Sequence, residues 1–569
     1  MKVCRLRKTW VIFMKIELKQ VSSLEKIRSA EDFDCKEIKK KIAFAGERVS
    51  YQICMNSDSR LCADISVESE LKDYIRMYSV KNVYMDKPTI RESDEDYITK
   101  KPGMMPDVLI PLEEQSDKTF VNSNINSLWV RIDIPKDMQP GTYTVTIHCH
   151  LISVDKDSSV YLTKRMNIEI LPFVMPEQKL IYTRWFYADC IADYHHVEVY
   201  SEEHWELIEK YIAAATDSGI NMILVPIHTP PLNTAIGGKR TCVQLVDIEK
   251  KGDIFEFNFD KFTRFINICK KNGVKYYEMA HTFSKWGAKY SPNIVVTENG
   301  IKDYMFGWDV AANSAEYIYF LKQYIAAIVV QLEKEGISEN TFFHISDEPS
   351  LKNIDTYKIA SDILRPMIGK SKTMDALSKY EFYEEGLVQC PVTNLEHIHE
   401  FLEYSIEDQW VYCCMEPEKT YSNNFLAMPS WRIRVLGFQM YRYGIKGFLH
   451  WGYNFYNSYS SRYPVNPYLC TSADGVYPSG DPFIVYPGFN TVYTSIRSEI
   501  IYDAIQDMNI CYALESKIGR EAVEKLIDSA TGYTLRFDKY PSGNSYFEDL
   551  RLQMIERLRS ALQKNGSPL

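Results

Sequence analysis

From about residue 180 to about residue 513, short apolar runs alternate eight times with longer stretches of helical periodicity. The runs are Leu180–Tyr187, Met222–Ile227, Lys275–Ala280, Thr341–Ser346, Lys372–Ala376, Leu387–Cys390, Gln409–Cys414 and Lys446–Trp451. Nearly continuous apolarity suits strands buried on both faces, and strand–helix alternation suits parallel pairing through crossover helices. Near 202–217, Trp205, Ile208, Ile212 and Ala215 share one helical face; near 314–335, Ile318, Leu321, Ile325, Ile328 and Leu332 do the same. Further helices are expected near 260–272, 352–368, 394–404, 430–443 and 488–513. Gly219, Gly273 and Gly336 stand where C-caps belong. Eight such units predict a (β/α)8 barrel of the TIM type over 173–513. The competing doubly wound sheet lacks support, since no GxGxxG turn or phosphate loop follows any of the runs.

Upstream the rhythm is different. Leu128, Val130, Ile132 and Ile134 alternate with Trp129, Arg131 and Asp133, and Tyr143, Val145, Ile147 and Cys149 alternate after a turn at Pro135–Gly141. Turn clusters at Asn56–Ser59 and Asp155–Ser159 separate other short strands, so 14–172 is expected to be an antiparallel β-sandwich. After residue 513, helices at Arg520–Ile527 and Glu548–Leu562 flank the polar stretch Tyr540–Ser545, predicting a helical extension over 514–569. The fold class is thus α/β and multidomain.

Composition narrows the function. The 569 residues carry a formal net charge of −10 and no long basic run, so the electrostatic footprint of a nucleic-acid binder is missing. Aromatic residues make up 13%, which suits sites that stack on flat ligand faces. The thirteen cysteines are irregularly spaced, and the pairs His148/His150, His195/His196 and His397/His399 fit no recognised zinc pattern. Reduced thiols, a cytoplasmic location and neither metal nor organic cofactor are therefore expected. No apolar run is long enough to span a membrane. The run at 10–14 is too short for a secretory signal, and Met14 is an alternative start that would make 1–13 a dispensable leader.

Barrel enzymes carry their chemistry at the C-terminal ends of the strands. Those ends supply Arg184, Trp185, Tyr187, His228, His281, Trp286, Asp347, Glu348, Asp375, Cys414, Glu416, Trp451, Tyr453 and Asn454. The sharpest of them is Phe342-Phe343-His344-Ile345-Ser346-Asp347-Glu348-Pro349. His344, Ser346 and Glu348 share one parity, and Pro349 breaks the strand, so the alternation can lapse and let Asp347 turn inward as well. Repulsion between the neighbouring carboxylates is expected to raise the pKa of Glu348 into the range of a general acid. The bland reading is a solvated turn capping the next helix. Carboxylates on adjacent residues do not readily straddle a sugar ring as two-carboxylate glycosidases require. They suit a route in which the substrate's own 2-acetamido oxygen attacks, with Asp347 orienting that amide and Glu348 acting as acid and then base. Trp286 and Trp451 are candidate ring-stacking residues, His281 and Asn454 candidate hydroxyl or amide partners, and Tyr453 and Arg184 further candidate substrate contacts. Glu416 would be the nucleophile of a two-carboxylate alternative.

The run His344-Ile-Ser-Asp-Glu-Pro349 resembles the catalytic barrel of glycoside hydrolase family 123, also known as domain of unknown function 4091. So do Trp286-Gly287-Ala288, Trp431-Arg432, Gly447-Phe448-Leu449-His450-Trp451 with Asn454, Tyr486-Pro487-Gly488 and Ser495-Ile496-Arg497-Ser498-Glu499. The resemblance implies a retaining, substrate-assisted exo-N-acetyl-β-galactosaminidase with a carbohydrate substrate as partner, Asp347 as acetamido stabiliser and Glu348 as acid/base. Where relatives tend to read Arg-Asp-Gly-Ile-Glu-Asp, this chain has Tyr502-Asp503-Ala504-Ile505-Gln506-Asp507. The alternatives are a two-carboxylate glycosidase for sugars without an acetamido group and a carbohydrate-binding barrel without turnover.

Overall fold

The computed structural model describes residues 15–91, 93–114, 119–121, 125–154 and 158–564. The proposed leader 1–13 and the turn residues 155–157 lie outside them. Two compact units emerge. One takes in the residues up to Asn82 and Met105–Met175, and the other takes in Val83–Met104 and the chain from Pro176 onward. The domain boundary expected at 172 falls at Met175, and Val83–Met104 belongs with the second unit.

In the first unit, Ile16–Ser22, Arg48–Ser57 and Ile125–Asp133 are antiparallel neighbours, continued by the strand starting at Ile75. A second sheet runs Lys40–Ala45, Ser159–Val174, Gly141–Ser153, Leu61–Glu68 and Thr119–Val121. It departs from a purely antiparallel plan where Lys40–Ala45 pairs in parallel with Ser159–Val174. The core between the sheets is built from Tyr51, Ile53, Leu128, Val130 and Ile132 against Val145, Ile147, Met166 and Ile168. Trp129 is buried too, because the other face of its sheet is covered by a loop that packs Ile27 and Phe33 onto Cys54.

The second unit holds a closed barrel of eight strands: Ile181–Arg184, Met222–Val225, Tyr276–Met279, Thr341–His344, Lys372–Leu377, Cys390–Asn394, Trp410–Cys413 and Gly447–His450. Seven coincide with the expected runs. The sixth begins where its run was expected to end, because Pro391 sits inside the strand, paired with Asp375, and does not stop it. Closure is made by the first and eighth strands, in register from Ile181↔Gly447 to Arg184↔His450. Gly447 is needed there, since a Cβ would lie 2.0 Å from the Trp410 ring.

The expected helices appear at Glu202–Asp217, Asp260–Lys271, Ala315–Glu335, Ile354–Leu364, Trp431–Arg442 and Ile496–Ile518, with only the short Ile398–Phe401 near 394–404. A four-stranded sheet of Ile254–Asn258, Asp247–Lys251, Ile294–Glu298 and Ile301–Phe306 fills the loops after the second and third barrel strands. In the segment 502–507 of the last barrel helix, Asp507, where the chain keeps the relatives' residue, has a packing role. Asp507 accepts from Arg434 at 2.7 and 3.1 Å and from Arg551 at 2.8 Å, tying three helices together. Arg551 belongs to the extension helix Asn544–Lys564, which with Arg520–Thr531 is part of the barrel's compact unit. No helix among the described residues is long and apolar enough to cross a membrane.

Candidate active site

Regular pairing of the fourth strand ends at His344, and the backbone that follows is held by a side chain. Asp375 Oδ2, from within the fifth strand, accepts from the N–H groups of Ile345 (3.2 Å) and Ser346 (3.0 Å) and from the Tyr357 hydroxyl (2.6 Å). The chain then turns sharply. Glu348 has φ +40°, a left-handed conformation that costs a side-chain-bearing residue about 1–3 kcal/mol. Strand alternation lapses here, and Asp347 and Glu348 both line one cavity.

A second strained loop clamps this turn. Trp286, Gly287 and Ala288 have φ of +57°, +119° and +54° in succession. The Trp286 N–H donates to the Asp347 carbonyl at 2.9 Å. Asn353 Nδ2 donates to the Trp286 carbonyl at 3.1 Å, and the Thr356 hydroxyl donates to that of Gly287 at 2.6 Å. A Cβ on Gly287 would come within 2.7 Å of the Asn353 side chain.

The cavity encloses about 160 Å³. Beside the two carboxylates its wall includes Trp185, Lys285, Trp286, Tyr412, Trp451 and Tyr477. Trp286 is 49% exposed, as a ring waiting at a mouth would be, while Trp451 is nearly buried and donates its indole N–H to Asp481 at 2.9 Å. The Tyr412 hydroxyl donates to Glu348 Oε1 at 2.6 Å. Lys285 Nζ lies 4.4 Å from the centre of the Trp286 ring.

Four of the expected substrate contacts lie away from this cavity. Arg184 is buried, donating to the Tyr182 hydroxyl at 2.6 Å and the Gly452 carbonyl at 3.0 Å. Tyr453 is buried and donates to the Tyr211 carbonyl at 2.7 Å. Asn454 is fixed on both sides by the backbone N–H (2.9 Å) and carbonyl (3.0 Å) of Tyr187. His281 lies beneath the site, its ring stacked 4.1 Å from that of His344. In the other direction, Lys285, Tyr477, Asn233 and Tyr459 line the cavity without having been expected there. Lys285 carried one signal, its place next to Trp286.

Below the carboxylates, His344 joins Glu278 (2.8 Å to Nε2) and Asp375 (3.2 Å to Nδ1), all fully buried. Burial pulls the His344 pKa down, but hydrogen bonds and charge from Asp375 and Glu278 outweigh it and bring it up to about 9. An imidazolium therefore sits under the site. Nitrogen and oxygen atoms of His281, His344 and Asp375 come within 4.8 Å of one another, as a metal site would require. A cation there would have to displace His344 from its two carboxylates and Asp375 from its hydrogen bonds.

Asp347 is half-buried and Glu348 is exposed at the mouth, and the cavity walls strip water from both carboxyls. For Asp347, burial and then the charges of Glu348 and Asp375 push the pKa well above the usual range, against His344 and Lys285. Burial also raises Glu348; Tyr412 opposes this and the Glu416 charge adds to it. Both carboxyls are thus raised, where the rise was expected at Glu348. Glu416 is outside the cavity wall, paired with Arg91.

A family model described as "Glycoside hydrolase 123, catalytic domain" matches residues 185–514, and one described as "Glycoside hydrolase 123 N-terminal domain" matches 25–150. Among solved structures, a family 123 glycoside hydrolase from Clostridium perfringens, described in connection with glycolipid glycan hydrolysis, aligns with a TM-score of 0.69. It covers 97% of this chain and 98% of its own at 17% identity. A β-glucuronidase from Parabacteroides merdae aligns with a TM-score of 0.32 at 10% identity, covering 86% of this chain and 51% of its own. A comparison with curated proteins finds no match.

Proposed function

The chain belongs to glycoside hydrolase family 123, and from that premise we propose that it is a retaining exo-β-N-acetylgalactosaminidase acting by substrate assistance. The observation that carries this reading is the position of the acids: Asp347 and Glu348 are adjacent on one strand end, and they are the only carboxylates lining the cavity among the described residues. Retention with a protein nucleophile needs a second carboxylate about 5–5.5 Å away across the sugar. Glu416 is held by Arg91, and Asp481 lies behind Trp451. The missing nucleophile is then the substrate's own acetamido oxygen.

In the first step that oxygen attacks the anomeric carbon while Glu348 protonates the departing glycosidic oxygen. Asp347 accepts the amide N–H and stabilises the positive charge that develops on the ring formed. Water, deprotonated by Glu348, then opens that ring from the side the leaving group left, so configuration is retained. The imidazolium of His344 and the ammonium of Lys285 favour the ionised Asp347 that this role requires. A cavity of about 160 Å³ with aromatic walls suits one terminal sugar better than a run of them.

The test is release of nitrophenol from β-N-acetylgalactosaminide and β-N-acetylglucosaminide aryl glycosides. Wild type should turn over the galactosaminide faster; Asp347→Asn should lose about 10²–10⁴-fold, and Glu348→Gln should lose less, because nitrophenol departs with little help from an acid. A folded wild-type protein inactive on both would sink the assignment.

A further inference from the structure

A second cavity, of about 470 Å³, opens on the same end of the barrel, from the loops after the first, second and eighth strands. It shares a wall with the catalytic cavity. Tyr459 and Ser460 line the catalytic side and Ser461 and Arg462 the other. Ser460 and Ser461 are left-handed, with φ of +59° and +51°. That turn is pinned by the Ser461 hydroxyl donating to the Asn233 carbonyl at 2.7 Å and by the Ala235 N–H donating to the Ser460 carbonyl at 3.1 Å. An aglycone emerging past Tyr459 meets this second space next.

Its lining is cationic. Lys239 and Arg462 are exposed, and Arg240 is buried with its side chain 2% accessible. Arg240 Nε forms an ion pair with the buried Asp189 carboxylate at 3.3 Å without a hydrogen bond to it, Nη2 donates to the Pro230 carbonyl at 3.3 Å, and Nη1 has no hydrogen-bond partner. The acid in the wall, Asp193, already accepts from the Thr241 hydroxyl at 2.8 Å; His196 adds a further ring. A buried guanidinium nitrogen without an acceptor, flanked by two exposed cations, marks a place for an anion.

We propose that this cavity is an aglycone subsite for an acidic sugar, binding its carboxylate or sulfate through Arg240, Lys239 and Arg462; it rests on the glycosidase reading of the neighbouring cavity. Three glycosides test it: β-N-acetylgalactosamine linked to glucose, to glucuronic acid and to sulfated glucose. In wild type, kcat/KM for at least one acidic glycoside should exceed that for its neutral twin by about tenfold, as charge-assisted hydrogen bonds give. The better anion tells carboxylate from sulfate. In the Lys239→Gln/Arg462→Gln variant, chosen at exposed positions so that folding is spared, the ratio should fall toward one. A wild-type ratio near one for both anions, or a ratio that survives in the variant, overturns the proposal. Should no glycoside turn over, the catalytic reading has failed, and calorimetric titration with glucuronate, glucose sulfate and glucose still decides this one. Tighter binding of an anion that the double variant loses supports the subsite, and equal binding of all three overturns it.

Discussion

The hydroxyl of Tyr412 donates to Oε1 of Glu348 across 2.6 Å and joins the seventh barrel strand to the turn after the fourth. It is the bond that favours charge on Glu348, against burial and the Glu416 carboxylate. Tyr412→Phe removes it, so the Glu348 pKa rises further. Protonated Glu348 is the acid in the first step, so its loss defines the basic limb of the pH profile. That limb of kcat/KM should move to higher pH, with the plateau within about tenfold of wild type. A profile whose basic limb stays in place would remove Glu348 from the role of acid.

The two carboxylates should also differ in how their loss depends on the leaving group. Glu348→Gln removes the proton donor, so glycosides with strongly acidic phenols, which leave without help, should retain far more of their rate than those with alkyl aglycones. Asp347→Asn removes the partner of the attacking amide and should cost a similar factor for every leaving group. A thiazoline analogue of the cyclised intermediate should inhibit wild type well below the substrate KM, as an analogue of a tightly bound species does. Equal leaving-group sensitivity in both variants would collapse the division of labour.

The barrel was legible because parallel strands buried on both faces leave uninterrupted apolar runs, and seven of the eight fall in place. Asp347 and Glu348 were legible because a polar parity begins at His344, where the strand ends, and Pro349 closes the run. The contacts were harder, since being at a strand end does not say which way a side chain points, and slipping by one residue reverses it. Trp451 faces the cavity, whereas Tyr453 and Asn454, two and three residues on, hold the loop together. Lys239, Arg240 and Arg462 lie in long insertions with no periodicity to read, and only folding brings them together.

Gly287 carries a prediction about strain. With φ at +119° and Asn353 within 2.7 Å of where a Cβ would be, Gly287→Ala has to move either the loop or Asn353. The Trp286 N–H bond to the Asp347 carbonyl is the first casualty. About 1–3 kcal/mol of stability should be lost. The kinetic loss should exceed that of Asn353→Ala, which removes the side chain's hydrogen bonds without disturbing Gly287. Unchanged kcat/KM in Gly287→Ala would mean that the loop does not position the catalytic turn.

His344 gives the clearest pH dependence of stability. Its pKa is about 9 in the folded protein against an ordinary 6.5, because Asp375 and Glu278 outweigh burial. A histidine raised on folding stabilises fully below its unfolded pKa, and that contribution is lost as pH rises through the folded value. Wild type should therefore lose melting temperature between pH 6.5 and 9 relative to His344→Gln. At the acid end of that window the variant should be the less stable by about 3–5 kcal/mol, having left two buried carboxylates without their cation. The same substitution withdraws a positive charge from beneath Asp347, so the Asp347 pKa should rise and the acid limb of kcat/KM should move up with it. Parallel melting curves for the two proteins across the window would mean that His344 is not charged in the folded state, and Lys285 alone would then oppose the rise in the Asp347 pKa.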